Sequence, residues 1–297
     1  MAIDFKTYQE QALLTDQVPR SSEDEALKAL IVPMLGLAGE TGQLLSEYKK
    51  HLRDGEAHRL FMDRVGEELG DLLWYIANVA SKFDLDLGQI AQQNLDKVHA
   101  RFAPASSKAP KLDSGFPDTE RFPRQMTVRL AEESRSGERP KVRMSVDGEE
   151  IGCLLGDNSY DPDGYRFHDV FHLAYAAILG WSPNLRAFLK RKRKSHPLFD
   201  EVEDGGRARI IEEGVSALAF DYARVHSFLE GIREVDYGLL RTIQSMTSHL
   251  EVGQATAADW ERAILEGFAV WRQVLANKGG EIFVDLNARA IRYLGAP

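Results

Sequence analysis

The chain has 297 residues, room for one large domain or two modest ones, and its 43% apolar and 28% charged residues are ordinary for a globular protein in water. A formal net charge of -9 disfavours general affinity for nucleic acid, because neutralising phosphates needs a basic surface. No uninterrupted apolar run reaches membrane-spanning length, "MAIDFKTYQEQALL" holds no apolar leader segment, and the single Cys153 cannot close an internal disulfide; a cytoplasmic protein without a membrane is expected.

Residues 1–102 read as helices. "SSEDEALKAL" pairs Ser22 with Glu25 in a capping-box pattern, and Pro33 is expected to kink or restart the helix that follows. A second helix is predicted over 58–82, with Val65, Leu69, Leu72, Ile76 and Val79 on one face. "DLDLGQIAQQNLDKVHARF" gives another, with Asp86 as N-cap and Gln89 three residues on. Pro104, Pro110, Pro117 and Pro123 then mark a linker over 104–124. "RQMTVRLAE" and "KVRMSVDGEE" alternate apolar and polar residues around "SGERP" and "DG" turns, a short antiparallel meander or hairpin. From Arg166 the helical period returns and is expected to last to the end, with Gly180 closing one helix and Ser182–Pro183 opening the next. The fold class expected is mainly α: a helical bundle over 1–103, the linker, then a small β meander with a helical domain over 125–297.

Acids recur on two neighbouring helices. At about 100° per residue, Glu40, Gln43 and Glu47 fall within about 60° of one another, beside the stripe of Leu37, Leu44 and Tyr48. Glu68 and Asp71 border the stripe of Val65, Leu72 and Ile76. Antiparallel packing of the two stripes brings the acidic edges together, where the carboxylates repel unless a cation sits among them. Hard oxygen ligands that leave room for water suit Mg²⁺ and a phosphate ester; solvated surface acids are the alternative.

The stretches "GLAGETGQ…EYKK", "EELGDLLWYIANVA" and "NLDKVHARF", in that order over residues 5–103, resemble the MazG-type nucleotide pyrophosphohydrolases of the all-α NTP pyrophosphatase superfamily. The resemblance implies hydrolysis of a nucleoside triphosphate to monophosphate and pyrophosphate with Mg²⁺, or Mn²⁺ in its place. It implies a homo-oligomer, dimer or tetramer. Carried over by position, Glu40, Glu68 and Asp71 are metal ligands. Asn94 and Lys97 contact the nucleotide and its phosphates, with Arg101 beside them, and Lys49 and Lys50 match a basic pair. The family's second glutamate is Gln43 here, whose amide oxygen ligates without adding charge. Glu47, one turn on, is the candidate to replace it; otherwise the domain holds one metal, works slowly, or only senses nucleotide. Glu67 and Glu47 are candidates to orient the attacking water. Trp74 either stacks on a base or fills the core, and aromatic residues at helical spacing mostly pack.

In the second half, "GDNSYDPDGYRFHDVFHLAYAAILGWSP" sets His168 and His172 on one helix face beside Asp169, and Glu212 and Glu213 stand on a later helix. Two histidines with acids from a second helix can hold a transition metal, or form a hydrogen-bonded structural group. "DNSYDPDG" reads as an Asx-turn loop. The basic run "KRKRK" from Lys190 is either a solvated helix face or a contact for polyphosphate or RNA.

Overall fold

In the computed structural model, which describes residues 3–17, 23–102, 112–134 and 137–296 (side chains of 23–28 and 100–102 excepted), the chain divides into two units, Met1–His99 and Ala100–Pro297. The expected cap of Ser22 by Glu25, part of the Pro-rich linker and the side chain of Arg101 lie outside the described residues.

The first unit is helical: α1 (Phe5–Leu13), α2 (Glu23–Asp54), α3 (Phe61–Lys82) and α4 (Leu87–Phe102). Helix α2 does not restart at Pro33, one of the two expected outcomes. The helix runs through it, with the Pro33 ring buried and the Ala29 carbonyl deprived of its usual donor. The helix predicted from residue 58 starts at Phe61, because His58 (φ -80°, ψ 71°) belongs to a turn. The cap of α4 forms as expected, the Gln89 amide donating to Asp86 Oδ1 at 2.8 Å. Gln9 ties α1 to the α3–α4 turn, donating to the Leu85 carbonyl at 2.8 Å and accepting from the Leu87 amide at 2.8 Å.

Helices α2 and α3 pack as a hairpin in which Gly36 lies against Tyr75. A Cβ there would stand 2.2 Å from the Tyr75 ring. Little of this unit is fully buried: Ala12, Ala77 and Leu87 form a cluster, with Tyr8 and Trp74 against it. Large apolar side chains of α2 and α3 stay exposed, among them Leu35 (66%), Leu45 (64%) and Leu69 (52%). The segment Ala29–Ala57 is long and apolar enough, by length and composition alone, to cross a membrane. That departs from the expectation drawn from uninterrupted runs, since charged residues are spaced along the helix.

The second unit combines an antiparallel sheet with helices. Strands β1 (Gln125–Glu133), β2 (Lys141–Val146) and β3 (Glu149–Leu155) form the expected meander. Then follow α5 (Asp169–Leu179), α6 (Pro183–Phe188), α7 (Pro197–Val202), α8 (Gly206–Arg224), α9 (Tyr237–Thr247) and α10 (Ala257–Asn277). The helical period does not last to the end: β4 (Gly279–Asp285) and β5 (Ala290–Gly295) return to the sheet, whose order is β3-β2-β1-β4-β5. Strand β1 carries Met126, Val128 and Leu130 inward, and the register sets Val128 against Val146 on one side and Ile282 on the other.

Every residue of α5 is buried, as befits a helix that is apolar but for Asp169 and His172 near its start. Gly180 ends it in the left-handed conformation (φ 67°), and Ser182 Oγ caps α6 by accepting from the Leu185 amide, with Pro183 at the first position, as expected. Trp181, Trp260, Trp271, Phe171 and Phe268 fill the core around α5 and α10.

Candidate functional site

In the first unit, α2 brings Glu40 and α3 brings Glu68 and Asp71 to one place, each offering an oxygen within 4.8 Å of the others. Asp71 is exposed, Glu40 and Glu68 are partly covered, and Glu68 Oε2 is buried with no hydrogen-bond partner. Burial pushes the Glu68 carboxyl above its ordinary range, and the neighbouring acids Glu40, Asp71 and Glu67 push it the same way. An orphaned oxygen among three acids is the environment a divalent cation relieves, and three carboxylates leave positions for water and phosphate, as Mg²⁺ prefers. The residues present therefore fit the ion.

The other predicted residues have separate surroundings. Glu47 is nearly buried and is engaged by Lys50 Nζ at 2.5 Å and His58 Nε2 at 3.3 Å, so it does not complete the trio. Its carboxyl is held low, first by the Lys50 hydrogen bond. Lys50 is thereby taken up locally, whereas Lys49 is exposed. Gln43 is exposed. Glu67 Oε2 accepts from Arg64 Nη1 at 2.6 Å, which ties down this candidate for positioning water. Trp74 packs on the small core and donates Nε1–H to Thr15 Oγ1 at 2.7 Å, so its ring is used in packing. Asn94 and Lys97 are exposed on α4. Two residues near the acids went unread in the sequence. Arg64 feels Glu67, Glu47 and Glu68, and the Tyr8 phenol is raised by burial and by the charge of Asp71. The i, i+3 spacing of Arg64 and Glu67 was a local signal; Tyr8 comes from another helix and had none.

In the second unit, α5 and α8 gather the histidines and acids. His168 Nδ1 lies 2.9 Å from the Tyr165 carbonyl, and His172 Nδ1 lies 2.9 Å from Glu212 Oε1. Glu212 is fully buried and also accepts from Ser182 Oγ at 2.5 Å and the Asn184 amide at 2.8 Å. Its lone pairs are thus used on fixed donors, and it orients His172 instead of standing with the other acids. Glu213 Oε1 is 3.2 Å from His172 Nε2 and its Oε2 is 3.6 Å from His168 Nε2. Asp169, 3% exposed, reaches His172 Nε2 at 3.9 Å.

The basic run is not a helix face. Lys190 has a positive φ of 57° just after α6, and Arg191 donates to the Asp118 carbonyl. Lys192 pairs with Asp200 at 2.7 Å, and Arg193, fully buried, pairs with Asp204 and Glu251. The loop before α5 does use its acids as turn acceptors: Asp157 Oδ1 takes the Arg166 amide and Asp163 Oδ1 the Tyr165 amide.

The family model of the MazG C-terminal domain matches residues 107–297. A Gene 37 protein of Mycobacterium phage L5 is 34% identical over 96 residues, which is 32% of this chain and 84% of the phage protein. No solved structure matches. The MazG relationship read from residues 5–103 is thus supported, but the family model matches the C-terminal part, not the N-terminal third. With more than half its length matched, the chain belongs to the MazG C-terminal domain family.

Proposed function

We propose that the first unit is a Mg²⁺-dependent nucleotide pyrophosphohydrolase, cleaving a nucleoside triphosphate to monophosphate and pyrophosphate. The observation that carries this is the convergence of Glu40, Glu68 and Asp71 around an oxygen without a partner. Bound there, Mg²⁺ (or Mn²⁺) supplies charge neutralisation of the triphosphate and a lowered pKa for an attacking water. Glu40, Glu68 and Asp71 hold the ion. The exposed Lys49, Lys97 and Asn94 offer donors to phosphate and nucleotide, with Arg101 proposed beside them, and positive charge on the leaving pyrophosphate favours the transition state. The exposed apolar faces of α2 and α3 fit a second copy of the chain, which makes the active form an oligomer.

Pyrophosphate release from a panel of ribo- and deoxynucleoside triphosphates with Mg²⁺ tests the assignment. Release that disappears in Glu68→Ala and Asp71→Ala, with the helical far-UV signal kept, supports it; wild-type rates in both variants overturn it. One observation favours a second reading, a nucleotide sensor. The position expected to carry a further carboxylate is the exposed amide Gln43, and Glu47 is occupied by Lys50 and His58. Mg²⁺-dependent nucleotide binding without pyrophosphate release selects that reading.

A further inference from the structure

The second unit holds a cluster that the reaction above does not use. His168, Asp169 and His172 lie on and just before α5, and each offers a ligand atom within 4.8 Å of the others. All three side chains are buried. The Tyr165 carbonyl faces His168 Nδ1, and a carbonyl only accepts, so Nδ1 carries the proton and Nε2 is left with its lone pair in the neutral ring. Glu212 does the same to His172 through Nδ1, and is itself fixed by Ser182 and Asn184. Outer nitrogens held by a carbonyl and a buried carboxylate, with inner nitrogens turned to one point, is how proteins orient imidazoles for a metal.

His172 Nε2 supplies the independent observation. It is buried and makes no hydrogen bond of acceptable geometry, although Glu213 and Asp169 oxygens lie 3.2 Å and 3.9 Å away. A ring nitrogen of a residue 1% exposed, without a well-directed hydrogen bond but facing carboxylates, is costly unless a positive charge stands between it and them, a proton or a metal ion. Glu213 is 42% exposed at its side chain and forms the open wall. Two imidazoles with carboxylates make a borderline donor set, better suited to Zn²⁺, Mn²⁺, Fe²⁺ or Co²⁺ than to Mg²⁺.

We propose that His168, Asp169, His172 and Glu213 bind one divalent first-row transition-metal ion in the second unit, with Glu212 and the Tyr165 carbonyl orienting the two rings. The competing arrangement is a buried imidazolium at His172 neutralised by Glu212 and Glu213, which holds no metal.

The test uses the full-length chain, stripped with chelator and then kept in excess Mg²⁺ so that the acidic trio of the first unit is saturated. Co²⁺ is the probe, read by its visible ligand-field bands, with Zn²⁺ uptake measured by equilibrium dialysis. The expected result is one equivalent of tightly bound Co²⁺, displaced by Zn²⁺, in both the wild type and a Glu68→Gln, Asp71→Asn background. Glu213→Gln, whose half-exposed position tolerates the change, weakens Co²⁺ at least about tenfold, as does His168→Gln, since loss of even an outer-shell partner costs about that much. Both variants are checked for native thermal unfolding. The proposal is overturned if the wild type takes up no Co²⁺ or Zn²⁺ under these conditions, or if folded Glu213→Gln binds Co²⁺ with wild-type affinity and spectrum.

Discussion

Asp204 accepts from the Arg193 backbone amide at 2.7 Å and from its guanidinium at 2.7 Å, and both side chains are fully buried. Removing the charge of Asp204 leaves buried Arg193 with Glu251 as its one carboxylate partner, so Asp204→Asn is expected to destabilise the second unit by about 1–3 kcal/mol in denaturant unfolding. Arg224 with Asp221, on the surface, is the control: removing that pair is expected to leave stability nearly unchanged. Asp113 gives a pH dependence. Burial pushes its carboxyl up, but the Phe122 amide, Arg124 and Arg186 outweigh this and hold it below the ordinary value. A depressed carboxyl contributes stability above its unfolded pKa of about 4, and that stability is lost as pH falls through the depressed value. The thermal stability gap between wild type and Asp113→Asn is therefore expected to be full at neutral pH and to shrink below about pH 4; a gap independent of pH removes this role. Gln43→Glu adds one negative charge a helix turn from Glu40, and on the proposed function it is expected to lower the Mg²⁺ concentration needed for half-maximal pyrophosphate release. An unchanged Mg²⁺ dependence puts residue 43 away from the metal.

The α2–α3 hairpin brings Glu40 to Glu68 and Asp71, and its contact hinges on Gly36 against Tyr75. Gly36→Val drives methyl groups into a packed ring, so the helices must part. A destabilisation of about 1–3 kcal/mol and a weaker Mg²⁺ response are expected together; a stable variant with unchanged Mg²⁺ dependence dissociates the hairpin spacing from the site. What could be read in the sequence follows the range of each interaction. Glu68 and Asp71 share one helix, so three residues of spacing were enough to pair them, and the caps at Asp86, Gly180 and Ser182 are equally local. The strands β4 and β5 were read as helix. They exist because β1, some 150 residues earlier, leaves an edge for Ile282 and Val284 to cover, and no local rule states that. The run from Lys190 to Lys194 looked solvated because its partners, Asp118, Asp200, Asp204 and Glu251, come from other elements. The histidines were visible by their i, i+4 spacing; that His172 Nε2 faces carboxylates without a well-directed hydrogen bond is a property of packing and was not.

The two units differ in how they bury apolar surface. The second has three tryptophans and a central helix wholly inside it, and its hydrophobic core is continuous across sheet and helices. The first buries few side chains and leaves Leu35, Leu45 and Leu69 more than half exposed on two helices. A unit of that size with so small a core is marginal alone, and apolar patches of this extent mark association surfaces. The candidate span Ala29–Ala57 contains the α2 part of that surface, Leu35 and Leu45. If a second copy covers it, the assembly depends on concentration. The full-length chain is then expected to sediment as a dimer or larger at micromolar concentration, and Leu35→Asp or Leu69→Asp to shift it towards monomer. In a monomer these exposed positions tolerate the change within about 0.5 kcal/mol, so dissociation with intact helical signal reports the interface and not the fold. Thermal unfolding separates the units further. With a second copy in place, the transition of the first unit is expected to rise with protein concentration, because association stabilises only its folded form, while that of the second unit stays fixed. A wild type that is monomeric throughout, with both transitions independent of concentration, rules out self-association. Co-flotation of that monomer with lipid vesicles would then assign the exposed apolar helix to a membrane surface.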